Sequence, residues 1–175
     1  MKVDVLTAEE FRKIVLDRYQ RKNRTENLKD LIHYFNYSDF DTYFTPKTYL
    51  DTLRFVVAYD DTDVMGVAKF AFYEMSQNYS ISYVSTNDKF FNQGVSKALL
   101  NKIFEFFHLN YPNEVLHLTG YSILGWKYLR KYVLKFSEEF KVEIKESPVE
   151  YITNWNDEAH ELYNESRRIL NYQRY

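Results

Sequence analysis

At Val95 the spacing of apolar residues switches from that of strands to that of a helix. Upstream, Arg54–Tyr59 and Val64–Tyr73 are rich in β-branched and aromatic residues. They flank the polar run Asp60-Asp61-Thr62-Asp63, which predicts a hairpin. Tyr79–Thr86 alternates as a third strand. Downstream, Val95, Leu99, Ile103, Phe106 and Phe107 form the stripe of a long helix that ends before Pro112. Val115–Thr119 reads as a strand and Ser122 to about Phe136 as a helix. Strands and helices interleaved in this way make a mixed α/β domain.

The ends of the chain extend the pattern. Val3–Leu6 reads as a strand, and Thr7 with Glu10 forms a capping box that opens a helix carrying Phe11, Ile14, Val15 and Tyr19 on one face. Leu28, Leu31, Ile32 and Phe35 mark a second helix, and residues 36–52 have no clear period, as segments bordering a binding site often do. Val142–Ile144 and Val149–Ile152, split by Pro148, are short strand candidates. The last helix, about 155–170, has Asp157 and Glu158 in its first turn and Arg167 and Arg168 in its last. Its apolar face holds Ala159, Leu162, Tyr163, Ser166 and Ile169, and needs the domain or a second copy of the chain to cover it.

Composition narrows the function. The 175 residues suit one domain spanning 1–175, and the 17 Tyr and 14 Phe supply a packed core with phenols to spare. Without Cys there is no disulfide, thiolate metal site or cysteine nucleophile. A net charge of −2 argues against nucleic acid, and the basic cluster Arg18–Arg24 fits a solvated helix end. No apolar run reaches the ~20 residues of a membrane span. The opening MKVDVLTAEE is too acidic for a signal peptide, so a cytoplasmic protein is expected.

Chemistry concentrates at Phe91-Asn92-Gln93-Gly94-Val95-Ser96-Lys97, between a strand and the long helix. A helix start offers unpaired N–H groups and the positive end of the dipole, and small residues let an anion reach them. This strand, loop and Ala98-Leu99-Leu100 helix resemble the coenzyme A pyrophosphate loop of the GNAT superfamily of N-acetyltransferases. That pattern is Arg or Gln, any two, Gly, any, Gly or Ala. Here Phe91, Gly94 and Ser96 hold those places, so Gly94 matches, Ser96 is a small substitute and Phe91 departs. The strand Ile81–Thr86 is similar to the family's splayed strand. After Leu116-His117-Leu118 the family has Asn, any two, Ala, any three, Tyr, any, Lys, where this chain has Ser122, Gly125, Leu129 and Lys131.

The resemblance implies a single GNAT-like mixed sheet flanked by helices over about 1–152, with the C-terminal helix as an addition. It implies transfer of an acetyl group from acetyl-CoA to an amine on a small molecule or protein, without a metal. Backbone amides at Val84 and Thr86 would meet the acyl carbonyl and pantetheine, the 91–97 loop the pyrophosphate, and Ser122 would offer a further hydrogen bond. With Leu129 at the Tyr place, Tyr128 ranks narrowly ahead of Tyr132 as the acid that protonates the leaving thiolate. Glu74 is the first choice of general base. The alternative is a GNAT-fold module that binds a partner protein or acyl-CoA without turnover, and a homodimer is left open. Glu105 with His108 has metal-ligand spacing but no second copy, and isolated His33 and His117 read as structural.

Overall fold

The strands β1 (Lys2–Leu6), β2 (Arg54–Tyr59), β3 (Val64–Tyr73), β4 (Asn78–Thr86), β5 (Leu116–Leu118) and β6 (Ile144–Glu146) form one sheet in chain order. This is seen in a computed structural model that describes residues 1–11, 13–14, 47–150 and 156–171. The expected helical positions Val15, Tyr19, Leu28, Leu31, Ile32 and Phe35 lie outside the described residues, as do Arg18–Arg24, His33 and residues 36–46. Strands β1 to β4 are antiparallel neighbours, while β4, β5 and β6 run parallel.

Local chemistry explains the turns. Asp60 Oδ1 accepts N–H bonds from Thr62 and Asp63, at 2.7 and 2.8 Å, and so closes the β2–β3 hairpin. After β1, Glu10 Oε2 accepts the Thr7 N–H at 2.8 Å and Thr7 Oγ1 accepts the Glu10 N–H at 3.3 Å, the reciprocal pair of a capping box. The helix α1 (Lys47–Thr52) occupies part of a segment expected to be irregular. Parallel strands need crossovers, supplied by α2 (Val95–Asn110) between β4 and β5 and α3 (Arg130–Phe140) between β5 and β6.

Each face of the sheet carries its own core. On one, α2 and α3 bury Leu99, Ile103, Phe104, Phe107, Val133 and Phe136 against Val56, Ala68, Phe70 and Leu116. On the other, Phe55, Val57, Val67 and Ala71 pack with Phe11, Tyr49 and Leu53, and Phe11 stacks on Phe55 at 4.1 Å between centroids. Gly66 lets α2 approach: a Cβ there would lie 2.7 Å from Val95 Cγ1 and 2.8 Å from the Ser85 carbonyl.

Three expectations shift. The helix expected from Ser122 contains a π-turn at Gly125–Leu129 before α3 begins. The strand expected at Val142–Ile144 is instead β6, and Val149 makes a single parallel bridge to Tyr121. In α4 (Asp157–Ile169), Ala159 and Ser166 are buried and Leu162 and Tyr163 half-buried, but Ile169 is exposed. The buried Ser166 Oγ accepts the Val149 N–H at 3.0 Å, which pins α4 beside the end of the sheet. Among the described residues, no helix is long and apolar enough to cross a membrane.

Candidate functional site

The sheet opens where β4 and β5 part company. Only Tyr79, Ser80 and Ile81 pair with β5, whose last residue, Leu118, sits beside Ile81. On its other side β4 stays paired with β3 as far as Thr86. The direction of the freed amides follows from one bond: the Asn87 N–H donates to Met65 O at 2.8 Å, toward β3. N–H groups two residues apart on an antiparallel strand point the same way. Ser85 and Tyr83 therefore also point to β3, and Val84 and Thr86 point into the gap beyond the end of β5.

One register change sharpens this geometry. Phe70 pairs with Ile81 and Lys69 with Tyr83, leaving Ser82 as the extra residue of a β-bulge at the closed end of the gap. The Tyr79–Thr86 alternation gave no sign of it, because a bulge depends on the partner strand as much as on its own.

The open end of the gap meets the loop. Thr86 Oγ1 and Ser96 Oγ are 2.6 Å apart and tie the end of β4 to the first turn of α2. Gly94 caps α2 in the left-handed conformation, φ 77°, and a Cβ there would meet nothing within 4 Å. The first helical bond runs from the Ala98 N–H to Gly94 O at 3.0 Å, so the N–H groups of Val95, Ser96 and Lys97 precede the ladder. The loop thus offers backbone donors over open space. The Val95 side chain is buried and only its amide is offered. Asn92 is also left-handed, at φ 61°, and Gln93 turns its amide nitrogen back to Lys89 O at 3.2 Å. Phe91, standing where the family has Arg or Gln, is exposed and adds no charge.

Of the other expected site residues, Ser122 uses its Oγ to accept the Gly125 N–H at 3.0 Å, capping the turn that leads into α3. The Lys97 side chain, from the first turn of α2, extends to the Tyr132 ring: the Lys97 and Lys131 ammoniums lie 5.6 and 5.0 Å from its centroid. Tyr128 is half-exposed beside Lys127, whose ammonium binds Glu158 of α4 at 2.7 Å. The structure therefore brings Tyr132, and not Tyr128, to the first turn of α2.

Glu74 requires a correction. It is exposed in the β3–β4 turn, beyond the Tyr73–Asn78 pair. Six residues of strand, about 20 Å, separate Asn78 from Val84. Placement at the far end of β4 removes it from the gap. Glu105 of the Glu-x-x-His spacing is bound to Lys102 at 2.6 Å. Burial, and then the charge of Lys145, lower the pKa of His117 on β5.

No family model matches the sequence, and no curated protein matches it. Among solved structures, the chain is similar to Escherichia coli ElaA at 14% identity, over 75% of this chain and 85% of that one, with a TM-score of 0.51. A predicted acetyltransferase with acetyl-CoA from Clostridium acetobutylicum is similar at 14% identity, over 89% of this chain and 94% of that one, with a TM-score of 0.44. An aminoglycoside acetyltransferase from an uncultured soil metagenomic sample, in complex with sisomicin, is similar at 16% identity, over 89% and 96%, with a TM-score of 0.44. Strand order, the parting of β4 from β5 and the likeness to ElaA agree: this chain has the fold of the GNAT superfamily of N-acetyltransferases.

Proposed function

We propose that the chain transfers an acetyl group from acetyl-CoA to an amine. The observation that carries this reading is the gap between β4 and β5, edged by the Val84 and Thr86 amides and opening at Gly94. The N–H groups of Val95, Ser96 and Lys97 would hold the pyrophosphate with the helix dipole behind them. Thr86, tied to Ser96, would meet the near end of the pantetheine arm, and Val84 the part closer to the thioester. When bound, acetyl-CoA supplies an acyl carbon: the amine nitrogen bonds to it, and the carbon–sulfur bond breaks with its electrons going to sulfur. The amide N–H groups stabilise the carbonyl oxygen as it gains charge, and holding both reactants in one gap supplies proximity. Tyr128, at the π-turn before α3, would give the departing sulfur its proton. The attacking nitrogen loses a proton to solvent water.

Calorimetric titration with acetyl-CoA tests the reading, because the arrangement requires binding in the micromolar range or tighter. Release of free coenzyme A with a panel of polyamines, aminoglycosides and peptide amines then tests turnover.

Two observations favour a second reading. Glu74 lies beyond Asn78, itself about 20 Å of strand from Val84, and Leu129 occupies the family's Tyr place. A module that binds acyl-CoA without turning it over would titrate normally and release no coenzyme A with any amine.

A further inference from the structure

We infer that the Ser82 hydroxyl is a hydrogen-bond donor held in reserve for the acyl carbonyl of the bound thioester. The inference rests on the coenzyme reading above and adds a side chain to it.

Ser82 is the unpaired residue of the β4 bulge, set between the Phe70–Ile81 and Lys69–Tyr83 pairs. It stands one residue beyond Ile81, where β5 stops, at the closed end of the gap. Its Oγ is buried and has no hydrogen-bond partner among the described residues. No other described side chain is left in that state. Its neighbours are served: Ser80 Oγ donates to Asn78 Oδ1 at 2.6 Å, and Thr86 Oγ1 is paired with Ser96. A buried hydroxyl without a partner destabilises a fold, and packing alone would favour Ala at that position. Such a group suits a site that is completed only when something else arrives.

Position along the strand says which part of the ligand arrives there. Thr86 marks the pyrophosphate end through its bond to Ser96. Ser82 is four residues back along β4, roughly 13 Å deeper into the gap at ~3.3 Å per residue. An arm anchored at the loop and extended along β4 presents its thioester, not its phosphates, to Ser82. The residue as a whole is only half-buried, so a rotation about Cα–Cβ can turn Oγ from its buried position to the open flank. That rotation breaks no hydrogen bond, since there is none to break. The hydroxyl then donates to the acyl oxygen alongside the backbone amides.

The test compares wild type with Ser82→Ala and Ser82→Thr, each titrated with acetyl-CoA and with coenzyme A, alongside thermal unfolding without ligand. Ser82→Ala should unfold no lower than wild type and bind acetyl-CoA about fivefold to tenfold more weakly, as one lost hydrogen bond predicts. Its affinity for coenzyme A, which lacks the acyl oxygen, should stay within about twofold of wild type by the same reasoning. Ser82→Thr keeps the hydroxyl and should keep the preference for the acetylated form. Equal weakening of both ligands overturns the acyl assignment, and so does unchanged affinity for both. A fall in the unfolding temperature of Ser82→Ala overturns the premise that the hydroxyl is unpaired. If wild type binds neither ligand, the acetyltransferase reading fails at its first step and takes this inference with it.

Discussion

Arg130 grips Glu146 through two parallel hydrogen bonds, Nε to Oε1 at 3.0 Å and a second guanidinium nitrogen to Oε2 at 2.9 Å. The Tyr121 hydroxyl donates to the same Oε1 at 2.7 Å, and the guanidinium lies 4.5 Å from the centroid of the Trp126 ring. The backbone N–H of Arg130 meanwhile donates to Gly125 O, the bond that makes the preceding turn a π-turn. One residue therefore joins the π-turn to β6 across the end of β5. Burial, reinforced by the Glu146 carboxylate, pushes the Tyr121 hydroxyl upward in pKa and keeps it a donor.

Breaking this pair from one side should be costly, because the carboxylate left behind is buried. Arg130→Met should lower unfolding free energy by about 3 kcal/mol in urea titrations. Glu146→Gln keeps an acceptor for Tyr121 and should cost less. Equal, small losses in both variants would show that the clamp adds little to the fold.

At Gly94 two properties separate cleanly. Its φ of 77° penalises any side chain, while the space where a Cβ would sit is empty. Gly94→Ala and Gly94→Glu should both fold, each less stable by about 1 kcal/mol. Acetyl-CoA should still bind the Ala variant within severalfold of wild type. The Glu variant places a carboxylate against the proposed phosphate site and should lose binding in the same calorimetric titration. Normal binding by a folded Gly94→Glu would move the pyrophosphate elsewhere.

Local signals were legible in the sequence and long-range ones were not. The Asp60–Asp63 turn, the Thr7–Glu10 box and the α2 stripe each lie within a few residues, so spacing alone reveals them. The Ser82 bulge depends on how β4 lies against β3, and the gap depends on where β5 ends, 37 residues after Ile81 in the chain. The π-turn is closed by Arg130, whose side chain is held 16 residues away at Glu146. At the end of α4 it is Leu170 that packs against the core, so Ile169, one residue earlier, is turned to solvent. The loop around Gly94 was legible as a small-residue turn. Which phenol faces it depends on the packing of α2 against α3, and so was not.

His117 offers a pH test with a definite sign. Burial and then Lys145, its parallel partner on β6, hold its pKa below the ordinary 6.5. The folded state therefore resists protonation, and the unfolded chain binds more protons as pH falls below about 6.5. Stability contributed by neutral His117 is intact above that pH and declines as pH drops toward the folded value. A proton NMR titration should place the imidazole midpoint below 6.5, and Lys145→Gln should move it part of the way back. A midpoint at or above 6.5 would contradict the burial of this ring.

The last expectation separates the two tyrosines. Both were candidates to protonate the leaving thiolate, and helix geometry alone placed them close together on α3 and the π-turn. Packing divides them. Tyr132 lies against Lys97 of the first turn of α2, with Phe136 stacked behind it at 6.3 Å between centroids. Tyr128 stands half in solvent beside Lys127, on a side chain pair directed to Glu158 of α4. A proton donor must lie within hydrogen-bond reach of the leaving sulfur, and general acid catalysis contributes typically 10²–10⁴-fold. A thiolate leaves tolerably without help, so the lower end of that range applies. The first turn of α2 holds the phosphates in this reading and the thioester lies deeper in the gap, so Tyr132 stands at the wrong end to reach the sulfur. In an assay of coenzyme A release, Tyr128→Phe should slow turnover by roughly 10²-fold while acetyl-CoA affinity changes little. Tyr132→Phe should have the smaller effect on turnover. Raising the pH of the assay should not restore Tyr128→Phe, because the missing group is the phenol itself. The reverse order of the two variants would move the acid to Tyr132, and loss of acetyl-CoA affinity without a change in turnover number would make Tyr132 part of the binding wall.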